Sequence, residues 1–192
     1  MIGKREFRED RPYSSFWSKL YITKKQRRSI LKWALYGVLL LTLSLLQDVV
    51  LARFSLYGAT TELVPVGIFL ICILEGGESG SVFALISAIV YLFTGTPGGV
   101  YSMVFITLLS IAVTIFRQAY LQKGFGAALM CGAAAVFLYQ LLEFVIALFL
   151  GLTILSRFGG FMLTAAMSAV TIPILYPIAL SIESIGGQTW KE

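Results

Sequence analysis

The acidic residues are the first candidates for chemistry in this chain. The stretch "LEGGESGS" (74–81) places Glu75 and Glu78 among three glycines and two serines, between two apolar runs. Carboxylates at such a spacing could act as general acid and base or could bind a metal ion. The same composition is typical of a tight turn between two membrane helices, because glycine adopts the backbone conformations that such a turn needs.

The other residue types argue against catalysis. The chain contains no histidine, which excludes histidine bases, Ser-His-Asp arrangements and histidine metal ligands. Cys72 and Cys131 lie far apart without CxxC spacing, so we interpret them as small core residues and not as a disulfide or zinc pair. No Walker loop or helix-opening GxGxxG is present. We therefore expect no enzymatic activity, no cofactor, no metal site and no nucleic acid partner.

Glu143, in "YQLLEF", lies within a long apolar stretch, with Gln140 one helical turn earlier. An ionised acid at mid-bilayer costs about 2.5–3.5 kcal/mol even on lenient insertion scales, so such residues normally face a bundle interior or a partner. We expect Glu143 to turn inward, where hydroxyl, amide or backbone groups satisfy it. The candidate hydroxyl groups are those of Tyr139, Thr164, Ser168 and Thr171, the last three just before Pro173 and Pro177. Three readings stay open: a polar clamp, a ligand or partner contact, and a shifted helix with Glu143 at an interface.

Composition indicates what surrounds these residues. The chain is 58% hydrophobic and 13% charged, with a mean hydropathy of +0.86, whereas soluble domains carry about 25% charged residues. Apolar runs of about 20 residues, long enough to cross a hydrocarbon core, recur throughout. The sequence therefore predicts an all-α polytopic membrane protein with six transmembrane helices, near 30–51, 58–77, 79–95, 100–117, 124–151 and 160–182.

Two of these helices depart from the ordinary length of a span. In the second, only 12 residues separate Glu62 from Glu75, about 18 Å of helix, so it crosses only with both acids at the interfaces. The fifth is longer than one crossing and should tilt or break near Gly151. Acids near span ends usually lie in the headgroup layer, and we expect this of Asp48, Glu62, Glu75, Glu78 and Glu183.

Charge predicts the orientation of the spans. Ten of the 15 Lys and Arg residues precede position 33, and cationic loops are retained in the cytoplasm. Six spans with both termini inside leave only Arg53 and Arg157 outside, whereas a re-entrant second run would move Arg117 and Lys123 outside. The expected organisation is a basic and aromatic cytoplasmic segment (1–29), a six-helix domain (30–185) and a short cytoplasmic tail (186–192).

The N-terminal segment does not have the form of a cleavable signal, because about 29 polar residues precede the first apolar run. "SSFWSKLYITKKQRRS" mixes aromatic and basic residues. It is either an interfacial helix that docks on anionic lipid or a cytoplasmic partner, or an ordinary positive-inside anchor. The cations expected to contribute most to anionic lipid binding are Lys24, Lys25, Arg27 and Arg28.

A stripe of small residues follows the "LEGGESGS" turn. Gly80, Ala84 and Ala88 recur at four-residue spacing on the third helix, which allows another helix backbone to approach closely. The stripe is either an intramolecular packing face or a seam for a partner. We therefore interpret the acidic stretch as a hairpin followed by a packing face, and not as an active site.

The arrangement resembles the rod shape-determining MreD family. The resemblance rests on a first helix that ends in a polar residue, on "RFSLYGATTELV" before the second helix, and on glycine turns. The matching glycines and proline are Gly76, Gly80, Gly95, Pro97 and Gly99. The departures are Thr61-Glu62 in place of Pro-Asp, Ala84 and Ala88 in place of glycines, and Tyr91 or a neighbour in place of a third-helix acid.

The resemblance implies a non-enzymatic subunit of the bacterial plasma membrane that guides lateral cell-wall synthesis. It implies the single-span MreC protein as a partner and, through it, the MreB filament and the peptidoglycan synthase pair. It also implies a fold similar to the substrate-binding subunits of energy-coupling-factor vitamin transporters. That similarity supplies the alternative function, a transporter subunit that holds a small vitamin near the outer side.

Overall fold

The computed structural model describes residues 24–53, 58–94, 99–120 and 124–185. These parts of the chain are all-helical, as the sequence predicts. The predicted segments 1–29 and 186–192 lie wholly or largely outside the described residues. The seven α-helices in the described ranges are α1 (Lys24–Leu45), α2 (Leu63–Glu75), α3 (Gly77–Phe93), α4 (Gly99–Tyr120), α5 (Phe125–Phe149), α6 (Phe158–Val170) and α7 (Ile172–Ile185).

Helix α2 is the centre of the bundle. All of its residues, from Leu63 to Glu75, are buried, and it contacts each of the other six α-helices described here. A helix that is apolar on every side is typical of such a position. Its 13 residues span only about 20 Å, and neighbouring helices, not lipid, cover it.

The turn after α2 has the tight form that "LEGGESGS" predicts. Gly76 and Gly77 adopt φ angles of 62° and 61°, which residues other than glycine rarely adopt. The Gly76 amide donates to the Cys72 carbonyl over 3.0 Å. Helix α3 therefore starts directly against the end of α2.

The small-residue stripe on α3 lies inside the chain. A Cβ atom on Gly80 would lie 3.6 Å from the Cα of Cys72 in α2, and Ala84 and Ala88 have no exposed surface. In this structure the stripe packs within the protein, and none of its residues presents a surface to a partner. The use of the stripe by a partner stays a prediction.

The sixth predicted helix, 160–182, is not one straight helix. It is divided into α6 and α7, which meet at Thr171 with a bend of 45°. Pro173 follows this point, and a proline that lacks an amide hydrogen removes a helix hydrogen bond and kinks the chain. The sequence analysis noted this proline, but the prediction of one continuous helix over 160–182 was wrong, because the helix divides at Thr171.

The described helices support a membrane protein but do not show six spans. Three stretches are long and apolar enough to cross a bilayer, Gln26–Arg53, Gly99–Gln118 and Phe125–Phe149. The bent pair α6 and α7 makes a fourth if it counts as one span, whereas α2 and α3 are shorter apolar helices. Many large apolar side chains on α1, α3, α4 and α5 are exposed, as expected for surfaces that face lipid.

Hydrogen bonds between helix ends show that α1 to α4 alternate in direction. The start of α1 meets the end of α2 through Lys32 and Glu75, and the end of α4 meets it through Arg117. At the opposite end, Gln47 bonds to Tyr91 near the end of α3. We call the end with Lys32, Glu75 and Arg117 the basic end, and the opposite end the cleft end.

Candidate functional site: a polar cleft between α2, α4, α5 and α6

A half-open cleft of about 760 Å³ lies at the cleft end of the bundle. Polar side chains supply much of its wall. Its lining residues are Gly58, Thr60, Glu62, Tyr101, Gln140, Glu143, Ala147, Leu152, Thr153, Ser156, Arg157, Gly160, Phe161 and Thr164. They come from the segment before α2, the start of α4, the second half of α5, the segment that leads into α6 and α6 itself.

The start of α2, which carries Glu62, is held by side chains from two other helices. Gln47 accepts hydrogen bonds from the amides of Leu63 and Val64, at 2.8 and 3.1 Å, and donates to the Tyr91 hydroxyl at 3.0 Å. The Glu62 amide donates to the Ser168 hydroxyl on α6 over 2.9 Å. Helix starts leave amides without partners, and here Gln47 and Ser168 fill that need. The Glu62 backbone is fixed, and its side chain faces the cleft.

Glu143 lies inward, with 6% of its surface exposed. The hydroxyls of Tyr139 on α5 and Ser102 on α4 both donate to its Oε1 atom, the first over 2.7 Å. The sequence analysis named Tyr139, and this contact is confirmed. Of the hydroxyls expected from the sixth helix, Thr164 lines the cleft without bonding to Glu143, and Ser168 accepts a hydrogen bond from the Glu62 amide. The choice between a clamp and a contact stays a prediction.

Three buried polar atoms in this cleft have no hydrogen-bond partner among the described residues. They are Glu62 Oε2, Gln140 Nε2 and Thr153 Oγ1. Gln140 is only 1% exposed, so its Nε2 atom is buried without a hydrogen-bond acceptor. Buried polar groups nearly always have partners, and an exception calls for an explanation. The described chain has one further atom of this kind, Ser110 Oγ, which does not line the cleft.

The charges around the cleft are unequal. Glu62 interacts electrostatically with Glu143, and the side chain of Gln140 lies close enough to Glu62 to stabilise its carboxylate, although without the geometry of a full hydrogen bond. Arg157 is the one cation among the described residues that line the cleft, and its side chain is exposed. Two carboxyl groups therefore lie inside the cleft and one guanidinium lies at its rim. The interior of the cleft suits a positively charged or hydrogen-bond-donating group.

The basic end has the opposite character. Lys32 donates to Glu75 Oε2 over 2.6 Å, and Tyr36 donates to Oε1 over 2.9 Å. Arg117 donates to the Leu74 carbonyl over 2.7 Å. Glu75 is buried and paired with a lysine from α1, whereas Asp48 and Glu78 are exposed. The depth of these acids in a membrane, including that of Glu62, stays a prediction.

The structure describes the side chains of only two of the four predicted membrane-surface cations. Arg27 and Arg28 are exposed at the start of α1, and the side chains of Lys24 and Lys25 lie outside the described residues. Most of "SSFWSKLYITKKQRRS" also lies outside them. The binding of anionic lipid by these four residues stays a prediction.

The sequence did not single out Gln47, Ser102 and Lys32 for the roles the structure gives them. Gln47 lies beside Asp48 in an otherwise apolar run, Ser102 is a small polar residue in another, and Lys32 is one member of a long basic segment. A polar residue within a membrane helix is the signal that could have identified the first two, because it normally faces the protein interior. Nothing local distinguishes Lys32 from the other cations.

Within the described ranges, no group of three His, Cys, Asp or Glu side chains comes together to hold a metal ion. The expected absence of metals and cofactors stays a prediction. No family model, curated protein or solved structure matches the chain. What the protein does must therefore be argued from its helices and from the polar cleft.

Proposed function

We propose that this protein is a non-enzymatic scaffold subunit of the bacterial plasma membrane, similar to MreD, that guides lateral cell-wall synthesis. It crosses the membrane six times, with both termini in the cytoplasm. Its partner is a single-span protein of the MreC kind, bound through contacts between membrane helices. The polar cleft opens toward the outer side.

One cluster of contacts carries this proposal. Three sequence features that resemble MreD converge there: the polar end of the first helix, the segment before the second helix, and the third-helix position usually held by an acid. Gln47 caps the start of α2 at Leu63 and Val64 and bonds to Tyr91. Features that are separate in the sequence thus form one structural unit, as expected if the resemblance is more than compositional.

Two features support six crossings. The alternating directions of the helices place Lys32 and Arg117 at one end and Arg157 at the other, as the positive-inside rule requires. The shortness of α2 is no obstacle, because other helices surround it and it need not match the lipid thickness. A reporter fused to the N-terminus should remain in the cytoplasm, and exchange of Lys24, Lys25, Arg27 and Arg28 for glutamate should disturb that orientation. A reporter outside the cell in the unaltered protein would contradict the topology.

The partner does not need the small-residue stripe for its contacts, because Gly80, Ala84 and Ala88 already pack within the chain. The outward faces of α1 and α4 offer exposed apolar side chains, such as Val38, Leu41, Leu108 and Ile115. Without a hydrophobic drive in lipid, such faces associate by close packing. The test below therefore measures partner binding directly.

Depletion of the protein in its own bacterium tests the role. Rod-shaped cells should widen and become round, and wall synthesis should lose its restriction to the lateral wall. The single-span partner should co-purify with the full chain, and Gln47→Leu should reduce that recovery because the amides of Leu63 and Val64 lose their acceptor. Gln118→Leu, an exposed glutamine at the basic end, is the matched control. Unchanged cell shape after depletion, with no partner recovered, would contradict the proposal.

The polar cleft favours a second candidate, a substrate-binding subunit of a vitamin transporter. Its volume of about 760 Å³ falls in the range of small-molecule sites, about 300–1,000 Å³. In that case depletion should lower the uptake of a vitamin and leave cell shape unchanged. The two depletion phenotypes separate the candidates.

A further inference from the structure

We propose that the polar cleft is a binding site for a small organic cation, an ammonium or guanidinium group held between Glu62 and Glu143. Both functions proposed above are compatible with such a ligand, and the proposal depends on neither of them. It rests on the geometry of the cleft, on the buried groups without partners and on the balance of charge.

The first step is the concentration of unsatisfied groups in one place. Glu62 Oε2, Gln140 Nε2 and Thr153 Oγ1 line the same cleft and lack partners among the described residues. A buried polar group without a hydrogen-bond partner is destabilising, because it loses its hydration and gains no bond in return. A ligand that completed these hydrogen bonds would recover this cost, because the contact between Glu62 and Gln140 meets it only in part.

The second step is the rigidity of the site. The Glu62 backbone is bonded to Ser168, and the start of α2 is capped by Gln47. Tyr139 and Ser102 fix one oxygen of Glu143, and no described side chain donates to its other oxygen. The Glu62 backbone and one oxygen of Glu143 are therefore held before any ligand arrives, which lowers the entropic cost of binding.

The third step is the chemistry of the ligand. Two carboxyl groups accept hydrogen bonds and favour positive charge, and ammonium and guanidinium groups donate without accepting. Gln140 can accept through its carbonyl oxygen and donate to a neighbouring oxygen on the ligand. Arg157 at the rim would attract a carboxylate at the far end of a zwitterionic ligand. Such a cation could be a free small molecule or a lysine or arginine side chain of a polypeptide.

Probes of defined charge test the proposal on the full chain in lipid nanodiscs. Arginine and agmatine should raise the Tm by several degrees when present far above their Kd. Citrulline, which has a neutral urea in place of the guanidinium, should bind about tenfold to a hundredfold more weakly than arginine, the usual weight of one charged hydrogen bond. Equal binding of citrulline and arginine, or no binding of any cation, would overturn the proposal.

Two arms of the experiment distinguish the sources of the cation. Free arginine carries an α-carboxylate that can reach Arg157, whereas Nα-acetyl-arginine N-methylamide presents the same side chain as it occurs within a polypeptide. Stronger binding of free arginine supports a small molecule, and equal or stronger binding of the capped form supports a polypeptide side chain. Magnesium or calcium alone should give no Tm shift, and a shift with either metal but with none of the cations would overturn the proposal.

Substitutions in the polar cleft test whether arginine binds there. Glu62→Gln and Glu143→Gln should each weaken arginine binding about tenfold or more while the protein still elutes as a folded species. Glu78→Gln, an exposed acid at the basic end, should leave the Kd unchanged. If Glu143→Gln fails to fold, Glu62→Gln and the cleft-filling Ala147→Leu remain, and both should weaken binding. Unaltered Kd values in these variants would contradict the site.

Discussion

The two ends of α2 carry glutamates in opposite circumstances. Glu75, at the basic end, accepts hydrogen bonds from Lys32 and Tyr36 on both of its oxygens. Glu62, at the cleft end, has a buried oxygen without a partner among the described residues. The two acids lie 13 positions apart on the same apolar helix and look equivalent in the sequence. Their difference shows that burial alone does not distinguish an acid that stabilises a membrane bundle from one that is free to bind a ligand.

The physical consequence concerns stability and binding. Removal of one partner from a fully paired buried charge is strongly destabilising, because the remaining groups are then buried without a partner. A buried polar group without partners adds little to the fold and can be exchanged at small cost. The basic end should therefore govern stability, and the cleft end should govern recognition.

The largest effect is expected for Glu75→Leu. Removal of one partner from a buried ion pair costs about 3–5 kcal/mol, because Lys32 stays buried without its carboxylate. The folded yield and the Tm in detergent should fall sharply, whereas Glu78→Leu in the same turn should change little, since Glu78 is exposed. The double variant Lys32→Met/Glu75→Leu should recover most of the loss. A double variant as unstable as Glu75→Leu would contradict the pairing.

The next effect separates the hydrogen bonds of Glu143 from its charge. Glu143→Leu leaves the hydroxyls of Ser102 and Tyr139 without their acceptor and should cost about 1–3 kcal/mol. Glu143→Gln keeps an acceptor oxygen and should cost less. Tm values of both variants, measured in the same detergent, provide the comparison. Equal loss in the two variants would show that the hydrogen bonds do not matter.

A matched pair of alanines tests the packing of the two regions. Ala84 on α3 has no exposed surface, so Ala84→Leu should overpack the helix contact and cost about 1–3 kcal/mol. Ala147 lines the cleft, where a larger side chain has room, so Ala147→Leu should cost clearly less. Folded yield and Tm of the two variants measure the difference. If Ala84→Leu accumulates and functions normally, the close helix approach at this position is refuted.

The smallest effect is expected for Glu62→Gln. The carboxyl group has no hydrogen bond to lose on its buried oxygen, and the change removes its repulsion with Glu143. The free energy of unfolding should rise or fall by less than about 1 kcal/mol. A loss as large as that of Glu75→Leu would remove the distinction between the two ends.

The sequence predicted much of the local structure and part of the site. The tight turn at Gly76 and the inward position of Glu143 could be predicted, because glycine content and helical spacing are local properties. The donor Ser102 could not, since it lies 41 positions from Glu143 on a helix whose rotation no local pattern specifies. The bend between α6 and α7 was indicated by Pro173, but a proline does not reveal whether a helix stays continuous or divides.

The sequence alone was enough to predict apolar helices that suit a membrane and to show that positive charge collects toward the N-terminus. These properties follow from composition and from short-range periodicity, which act within single segments. The pairing of Glu75 and the unpaired Oε2 of Glu62 follow instead from the packing of helices that are distant in the sequence. Pairing depends on the relative depth and rotation of packed helices, because Lys32 reaches Glu75 from α1, whereas at the other end Gln47 satisfies the backbone of α2 and leaves the Glu62 side chain facing the cleft.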